Sequence, residues 1–264
     1  MSITTFKTFI INLETKINEY TSLSDSLKSL GFNDVERWNA TVGRNLTPII
    51  FNPNTTLKDD EVFVTLQAYT DLVKGRNLHR ALSSKGALGC YMSHVNIWKW
   101  LLNQPSIDRV VVFEDDAYLS DNAVDKIDTC LQSIPFDSID FFSFGYNNTS
   151  KGSIEEVNDF VSLYRGEFWG LQGYMITKKG ATKLLENIFP IDVQIDSYIG
   201  LFAEYNPDFN LYITNKKYVK QNYHISSIQD KCVKCRIFEY YDIIMKYKYL
   251  ILFIIILIII KYRK

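Results

Sequence analysis

The stretch Arg-Val-Val-Val-Phe-Glu-Asp-Asp-Ala, residues 109–117, places three consecutive carboxylates directly after a run of apolar residues. Because the apolar run does not alternate with polar positions, it predicts a strand of a parallel sheet that is covered on both faces. Open sheets of this kind bind ligands in the crevice at the carboxyl ends of their strands. Glu114, Asp115 and Asp116 are therefore predicted to lie at a ligand-binding edge.

The clustering of three carboxylates limits what this edge can bind. Neighbouring carboxylates repel one another, so the cluster is tolerable mainly where a hard cation neutralises it. Oxygen ligands suit Mg²⁺ or Mn²⁺, and such a cation is commonly shared with a substrate diphosphate. The alternative is a solvated turn before a helix, because Asp residues also commonly begin loops. The pattern alone leaves both interpretations open.

The flanking segments alternate between strand-like and helix-like patterns, which predicts an α/β domain with a mainly parallel sheet flanked by helices. Buried-strand patterns occupy residues 6–13, 35–40, 109–114 and 141–144. Helical spacing of apolar residues occupies residues 19–30, 88–102 and 124–134. Asp121 is predicted to cap the last of these helices. Loops are predicted at residues 46–57 and 147–158, which are rich in Asn, Thr, Ser, Gly or Pro.

The overall composition excludes several classes of protein. The chain has 264 residues, of which 47% are hydrophobic and 22% charged, as expected for a domain with a buried core. Its 29 Lys and Arg residues balance 30 Asp and Glu residues, so nothing in the charge favours nucleic acid as a partner. Four cysteines without a framework spacing fit a reducing compartment better than a disulfide-stapled secreted domain.

The end of the chain carries a separate signal. Residues 249–260 form an unbroken apolar run with basic residues on both sides. A membrane-spanning helix usually needs about 20 apolar residues, so this run is long enough only if its flanking tyrosines and lysines reach the interfaces. We predict a folded domain at residues 1–240 on the cytosolic side and a candidate membrane anchor at residues 241–264. The alternative for the tail is a buried terminal helix or strand.

Six further blocks accompany the acidic block at residues 113–117. They lie at residues 9–13, 37–43, 86–94, 173–181 and 190–196, and at Gln221 together with residues 226–229. In this order the blocks resemble glycosyltransferase family 25, the lipopolysaccharide and collagen-type galactosyl- and glucosyltransferases. The resemblance implies a GT-A-like fold, a UDP-sugar donor, a divalent metal (Mn²⁺ or Mg²⁺) and inversion at the anomeric carbon. It also implies a glycan, glycolipid or glycoprotein acceptor.

The resemblance assigns expected roles to particular residues. Asp116 is the expected metal ligand and a catalytic residue, because a metal stabilises the charge that grows on the sugar diphosphate leaving group. Glu114 and His224 are expected as further metal ligands. The residues expected to contact the donor are Asn12, Leu13, Glu114, Asp115 and Gln221.

Inversion also requires a general base for the acceptor hydroxyl. Asp196 is the favoured candidate and Asp192 the second; the alternative for each is a solvated loop carboxylate, and this alternative fits Asp192 better than Asp196. His94 lies beside an apolar helical stripe and is expected to be a buried histidine with its hydrogen bonds satisfied.

Two other functions fit the same residues. One is a catalytically silent GT-A-like module that binds a glycan or a partner and is tethered to a membrane. The other is a metal-dependent phosphohydrolase, which the small number of histidines, three in the chain, makes less attractive.

Overall fold

The computed structural model describes residues 2–75 and 80–222. Its helices are α1 (Ile17–Ser29), α2 (Leu66–Lys74), α3 (Lys85–Leu102), α4 (Ala123–Gln132), α5 (Lys178–Glu186) and α6 (Ile195–Tyr205). Its first six strands are β1 (Thr8–Asn12), β2 (Val35–Asn39), β3 (Thr47–Ile50), β4 (Glu61–Val64), β5 (Arg109–Glu114) and β6 (Ala117–Leu119). The remaining strands are β7 (Phe141–Gly145), β8 (Asn148–Glu156), β9 (Val161–Trp169), β10 (Gly173–Thr177), β11 (Leu211–Thr214) and β12 (Val219–Gln221).

An eight-stranded sheet forms the centre of the fold, in the order β2-β1-β5-β10-β7-β11-β9-β8. Its strands run in one direction except β10 and β9, which are antiparallel to their neighbours. Two small sheets accompany it, one of β3 with β4 and one of β6 with β12. The predicted fold class, α/β with a mainly parallel sheet flanked by helices, is confirmed.

Helices cover the sheet on both faces because the central strands are apolar on both faces. Residues Val110 to Phe113 of β5 are fully buried, as the unbroken apolar run predicts. One core includes side chains of α3, α5 and α6, and the other includes side chains of α1 and α4. Ser84 is the N-cap of helix α3, and its side chain accepts a hydrogen bond from the Ala87 amide.

Three local predictions were wrong. The residue that caps α4 is Asn122, in the left-handed conformation with φ 56°, and not Asp121. Residues 47–50 form strand β3, and residues 148–156 form β8, although loops were predicted at both places. Residues 152–156 of β8 are exposed at the edge of the sheet, so backbone pairing with β9 forms this strand without any apolar pattern.

The loop after β2 approaches α3 so closely that two glycines are required. A Cβ on Gly43 would overlap the carbonyl oxygen of Lys85, and a Cβ on Gly89 would lie 2.5 Å from the carbonyl oxygen of Thr41. Because the opposing atoms belong to the backbone, a side chain cannot be accommodated by a rotamer change. This contact fixes the position of α3 beside the loop that follows β2.

Replacing Gly43 with Ala is therefore expected to lower the free energy of unfolding by about 1–3 kcal/mol or more, as overpacking does elsewhere. Urea unfolding followed by circular dichroism measures the change. Gly86→Ala is the matched control, because Ala is favoured over Gly within a helix. An unchanged urea midpoint for Gly43→Ala would contradict the close packing.

Within the residues that the structure describes, no helix is both long enough and apolar enough to cross a bilayer. The predicted anchor at residues 241–264, the domain boundary at residue 240 and His224 all lie outside the described residues.

Candidate active site

The acidic cluster lies where β1 and β5 end side by side. Ile11 of β1 pairs with Glu114 of β5 in a parallel register, so Asn12 lies next to the carboxylates. The Asn12 side-chain amide donates hydrogen bonds to Asp115 Oδ2 and to the Lys16 carbonyl oxygen, each at 2.7 Å. The structure therefore brings Asn12 and Asp115 together. Leu13 follows directly and is partly buried.

Asp116 is held by the second small sheet. Strands β6 and β12 pair so that Gln221 lies opposite Ala117. Gln221 Nε2 donates to Asp116 Oδ2 at 2.8 Å, and Gln221 Oε1 accepts from Gln172 and Asn147 at 3.3 and 3.2 Å. The other carboxylate oxygen, Asp116 Oδ1, is buried and has no hydrogen-bond partner among the described residues.

Glu114 turns away from Asp115 and Asp116, towards helix α3. Its Oε1 lies 3.6 Å from His94 Nε2 and 4.0 Å from Cys90 Sγ. The three adjacent carboxylates thus have separate surroundings: Glu114 faces α3, Asp115 faces Asn12, and Asp116 faces Gln221. The sequence pattern does not distinguish these environments.

Asp196 lies in the first turn of α6, where both of its oxygens accept backbone hydrogen bonds. Oδ2 accepts from the Gly170 amide at 2.9 Å, and Oδ1 accepts from the Ser197 amide at 2.7 Å. Its charge acts on Glu114 and His94, so it belongs to the same electrostatic neighbourhood. Asp192, the second candidate base, is exposed and accepts a hydrogen bond from the Thr65 hydroxyl at the start of α2.

Burial and mutual repulsion raise the pKa values of this group. Burial, with the charges of Asp196 and Asp115, raises the pKa of Glu114 to about 8. Burial and the charge of Glu114 raise the pKa of Asp116 to about 7, although the Gln221 hydrogen bond opposes the shift. The pKa of Asp115 is also raised, chiefly by burial. The charge of Lys16 lowers the pKa values of Asp115 and Asp116 but does not offset the effect of burial.

A cleft of about 320 Å³ opens beside the acidic cluster, between α1 and β6. Asp115, Tyr118 and Asn222 line it on one side, and Ser22 lies on the other. The Tyr118 side chain is 39% exposed and so presents aromatic surface to the cleft. The cleft lies at the carboxyl edge of the sheet, where the sequence predicts ligand binding.

Two features of the candidate site were not predicted from the sequence. Cys90 lies at the site, and its four-residue spacing from His94 on a helix was the signal that could have revealed it. Gly170, Gln172 and Asn147 support Asp196 and Gln221 through long-range contacts that no local pattern encodes.

His94 only partly fits its prediction. It is fully buried, as expected, and its Nδ1 is hydrogen bonded to the Tyr174 hydroxyl at 2.9 Å. Its Nε2 has no hydrogen-bond partner in the described part of the chain, so the histidine is not satisfied.

The protein is α/β, and its acidic cluster lies at the carboxyl edge of an open sheet, where proteins of this architecture bind their ligands. Residues 5–199 match the family model described as glycosyltransferase family 25 (LPS biosynthesis protein). Because this match covers most of the sequence, the chain belongs to glycosyltransferase family 25.

The chain is also similar to several curated proteins, including two that carry the family name. A glycosyltransferase 25 family member of Drosophila melanogaster is 29% identical over 49% of this chain and 21% of its own length. Procollagen galactosyltransferase 1-A of Xenopus laevis is 26% identical over 75% of this chain and 31% of its own length. A probable inactive glycosyltransferase 25 family member 3 of Bos taurus is 28% identical over 54% of this chain and 24% of its own length. The matched part of this chain thus spans less than a third of each of these relatives.

Solved structures resemble the chain more distantly. A197 from STIV is 13% identical with a TM-score of 0.37, covering 84% of this chain and 86% of that one. The galactosyltransferase LgtC, in complex with donor and acceptor sugar analogs, is 12% identical with a TM-score of 0.35, covering 78% of this chain and 72% of its own.

The hydrogen bonds of Gln221 indicate that it sets the position of Asp116. Gln221→Ala is expected to lower the free energy of unfolding by about 1–3 kcal/mol, because the buried Asp116 carboxylate loses its hydrogen-bond donor. Lys220→Ala, at the exposed neighbouring position, is the control. Urea unfolding measures both, and equal free energies of unfolding for Gln221→Ala and the wild type would contradict this role.

Proposed function

We propose that this chain is an inverting glycosyltransferase that moves a hexose, galactose or glucose, from a UDP-sugar to a hydroxyl acceptor with Mn²⁺ or Mg²⁺. The observation that carries the proposal concerns Asp116. Its Oδ1 is buried at the carboxyl edge of the sheet and has no hydrogen-bond partner among the described residues. Family membership supports the same activity.

The residues at the edge fit a hard divalent cation. Asp116 offers an unengaged carboxylate oxygen, and burial together with the charge of Glu114 raises its pKa, an effect that a bound cation would oppose. Asp116 would hold the cation, together with His224 from outside the described residues, whereas Glu114, the other expected ligand, faces α3. When bound, the cation would stabilise the negative charge that develops on the UDP leaving group.

The chain's own residues carry the remaining steps. The cleft beside Asp115 and Tyr118 would bind the nucleotide, with Asn12, Leu13 and Gln221 near the donor. Asp196 would accept the proton of the acceptor hydroxyl as that oxygen bonds to the anomeric carbon and the bond to the UDP oxygen breaks. Its raised pKa, caused mainly by burial, favours the proton-accepting role.

The acceptor proposal rests on relatives. One relative is named for galactosyl transfer to procollagen, and the family description names lipopolysaccharide biosynthesis. We therefore propose a glycan, glycolipid or glycoprotein acceptor bearing the attacking hydroxyl.

The apolar run at residues 249–260 supports a membrane anchor, with the catalytic domain on the cytosolic side. Alkaline carbonate extraction of membranes from expressing cells tests the anchor. The full chain should stay in the pellet, and a variant with Ile255→Lys and Ile256→Lys should be released. Release of both proteins would show that residues 249–260 do not anchor the chain in the membrane.

A silent binding module is the second candidate, because relatives of cattle and mouse are named as probable inactive or inactive family members. Calorimetric titration with UDP, in Mn²⁺ and in EDTA, separates the possibilities when paired with turnover of UDP-sugars. Metal-dependent binding with turnover supports the transferase. Binding without turnover under any acceptor supports the silent module, and release of phosphate from simple esters supports a phosphohydrolase.

A further inference from the structure

A second group of metal-ligating side chains lies between α3 and the end of β5. Cys90 and His94 are four residues apart on α3 and so point to the same side of the helix. Glu114 reaches them from the last position of β5. The sulfur, imidazole nitrogen and carboxylate oxygen of these residues lie within 4.8 Å of one another.

The distances suit a small ion held by all three atoms. Glu114 Oε1 lies 3.6 Å from His94 Nε2 and 4.0 Å from Cys90 Sγ. In a tetrahedral zinc site, bonds of about 2.0–2.3 Å separate neighbouring ligand atoms by roughly 3.3–3.8 Å. A small inward movement of the side chains would therefore complete three bonds.

His94 supplies an independent sign of a missing ligand. Its side chain is 0% exposed, and its Nε2, which faces Glu114, has no hydrogen-bond partner in the described residues. Buried polar atoms are rarely left without a partner. When Nδ1 carries the ring hydrogen and donates it to the Tyr174 oxygen, Nε2 presents a lone pair towards Glu114 and Cys90.

The surroundings of His94 resemble those of metal-binding histidines in general. Such histidines usually donate their second ring N–H to a fixed acceptor, which sets the orientation of the ring. Here the acceptor is the Tyr174 oxygen, which is itself fixed by the Trp98 indole N–H at 3.1 Å. The Tyr174 ring stacks on Phe141 with centroids 4.6 Å apart, so the acceptor cannot move freely.

No cationic Lys or Arg side chain in the described residues balances the Glu114 carboxylate when it is ionised. Among the described residues, the partner of Glu114 in its ion pair is His94 and not a Lys or Arg. The oxygen ligands around Asp116 suit a hard ion, whereas a thiolate and an imidazole favour a softer one. The two groups therefore differ in chemistry as well as in position.

We propose that Cys90 Sγ, His94 Nε2 and Glu114 Oε1 form a Zn²⁺ site that is separate from the hard-cation position at Asp116. The ion would join α3 to the end of β5 and hold Glu114 beside the helix. One coordination position would remain for water, as in zinc sites with three protein ligands. The proposal does not depend on transferase activity, because binding is measured without a nucleotide sugar.

Cobalt substitution of the full chain tests the site, because a thiolate bound to Co²⁺ produces a charge-transfer band in the near ultraviolet. Cys232 and Cys235 could bind metal themselves, so the titration uses a chain that carries Cys232→Ser and Cys235→Ser. In this background we expect the thiolate band to saturate at one Co²⁺ per chain and to disappear when Zn²⁺ displaces that Co²⁺. Adding Cys90→Ser should remove the band.

Two further variants make the result specific. Cys130→Ser is the matched control, because Cys130 is buried on α4 and contacts the Phe160 carbonyl oxygen instead. It should keep the band. Tyr174→Phe keeps the ring but removes the oxygen that orients His94, and it should weaken Zn²⁺ binding about 10- to 100-fold. Far-ultraviolet circular dichroism checks that each variant is folded.

Absence of the thiolate band when only Cys232 and Cys235 are replaced would overturn the proposal. So would a band that persists in a folded Cys90→Ser variant. In either case Glu114, His94 and Cys90 would form a metal-free cluster in which protons, not an ion, balance the charge.

Discussion

Asp116→Asn is expected to lower kcat for sugar transfer by about 10²–10³-fold, the loss typical when one group that stabilises transition-state charge is removed. Asparagine keeps the size of the side chain and an oxygen that can accept the hydrogen bond from Gln221. It removes the negative charge that would hold the cation. Initial rates of UDP release at saturating donor measure the effect.

The control for this change is Asp121→Asn. Asp121 lies five residues further along, is exposed, and does not cap α4. The control should retain wild-type activity. Transfer by Asp116→Asn at more than half the wild-type rate would show that Asp116 does not hold the catalytic cation.

Asp196→Asn is expected to lower kcat by about 10²–10⁴-fold, the usual contribution of a general base. Affinity for UDP should remain close to that of the wild type, because the proposed role concerns the acceptor proton. Both oxygens of Asp196 accept backbone N–H groups, so the amide of asparagine also faces one of these donors. Circular dichroism and the UDP Kd separate a chemical effect from local unfolding.

Asp192→Asn is the matched control for the base. Asp192 is exposed and hydrogen bonded to Thr65 at the start of α2, so its loss should affect stability slightly and kcat little. If Asp192→Asn lost activity while Asp196→Asn retained it, the assignment of the base would be reversed.

Local patterns predicted the central part of the fold. Strand β5 matches its predicted bounds, 109–114, because an unbroken run of Val and Phe can be buried on both faces only within a covered sheet. The same pattern predicted the position of the three acidic residues after β5, because the chain leaves the sheet there, at the carboxyl ends of the parallel strands. Asn12 contacts Asp115 and Gln221 contacts Asp116, so residues that the resemblance assigns to the donor and the metal lie together, while those roles stay predictions.

Other features depend on contacts between distant residues and escaped prediction. Strand β8 forms at an exposed edge through backbone pairing with β9, so its polar composition resembled a loop. The different directions of Glu114 and Asp116 depend on α3 and β12, which lie far away in the sequence. Periodicity describes the face of one element and cannot identify the element that packs against it.

The central claim, a metal-dependent transferase that uses a UDP-sugar, is tested most directly by UDP release. The full chain is incubated with a panel of UDP-sugars and Mn²⁺, with and without EDTA, in parallel with Asp116→Asn and Asp121→Asn. We predict release from a hexose donor that chelation and Asp116→Asn abolish and that Asp121→Asn retains. A chain that neither releases UDP from any donor nor binds UDP in Mn²⁺ would contradict the claim.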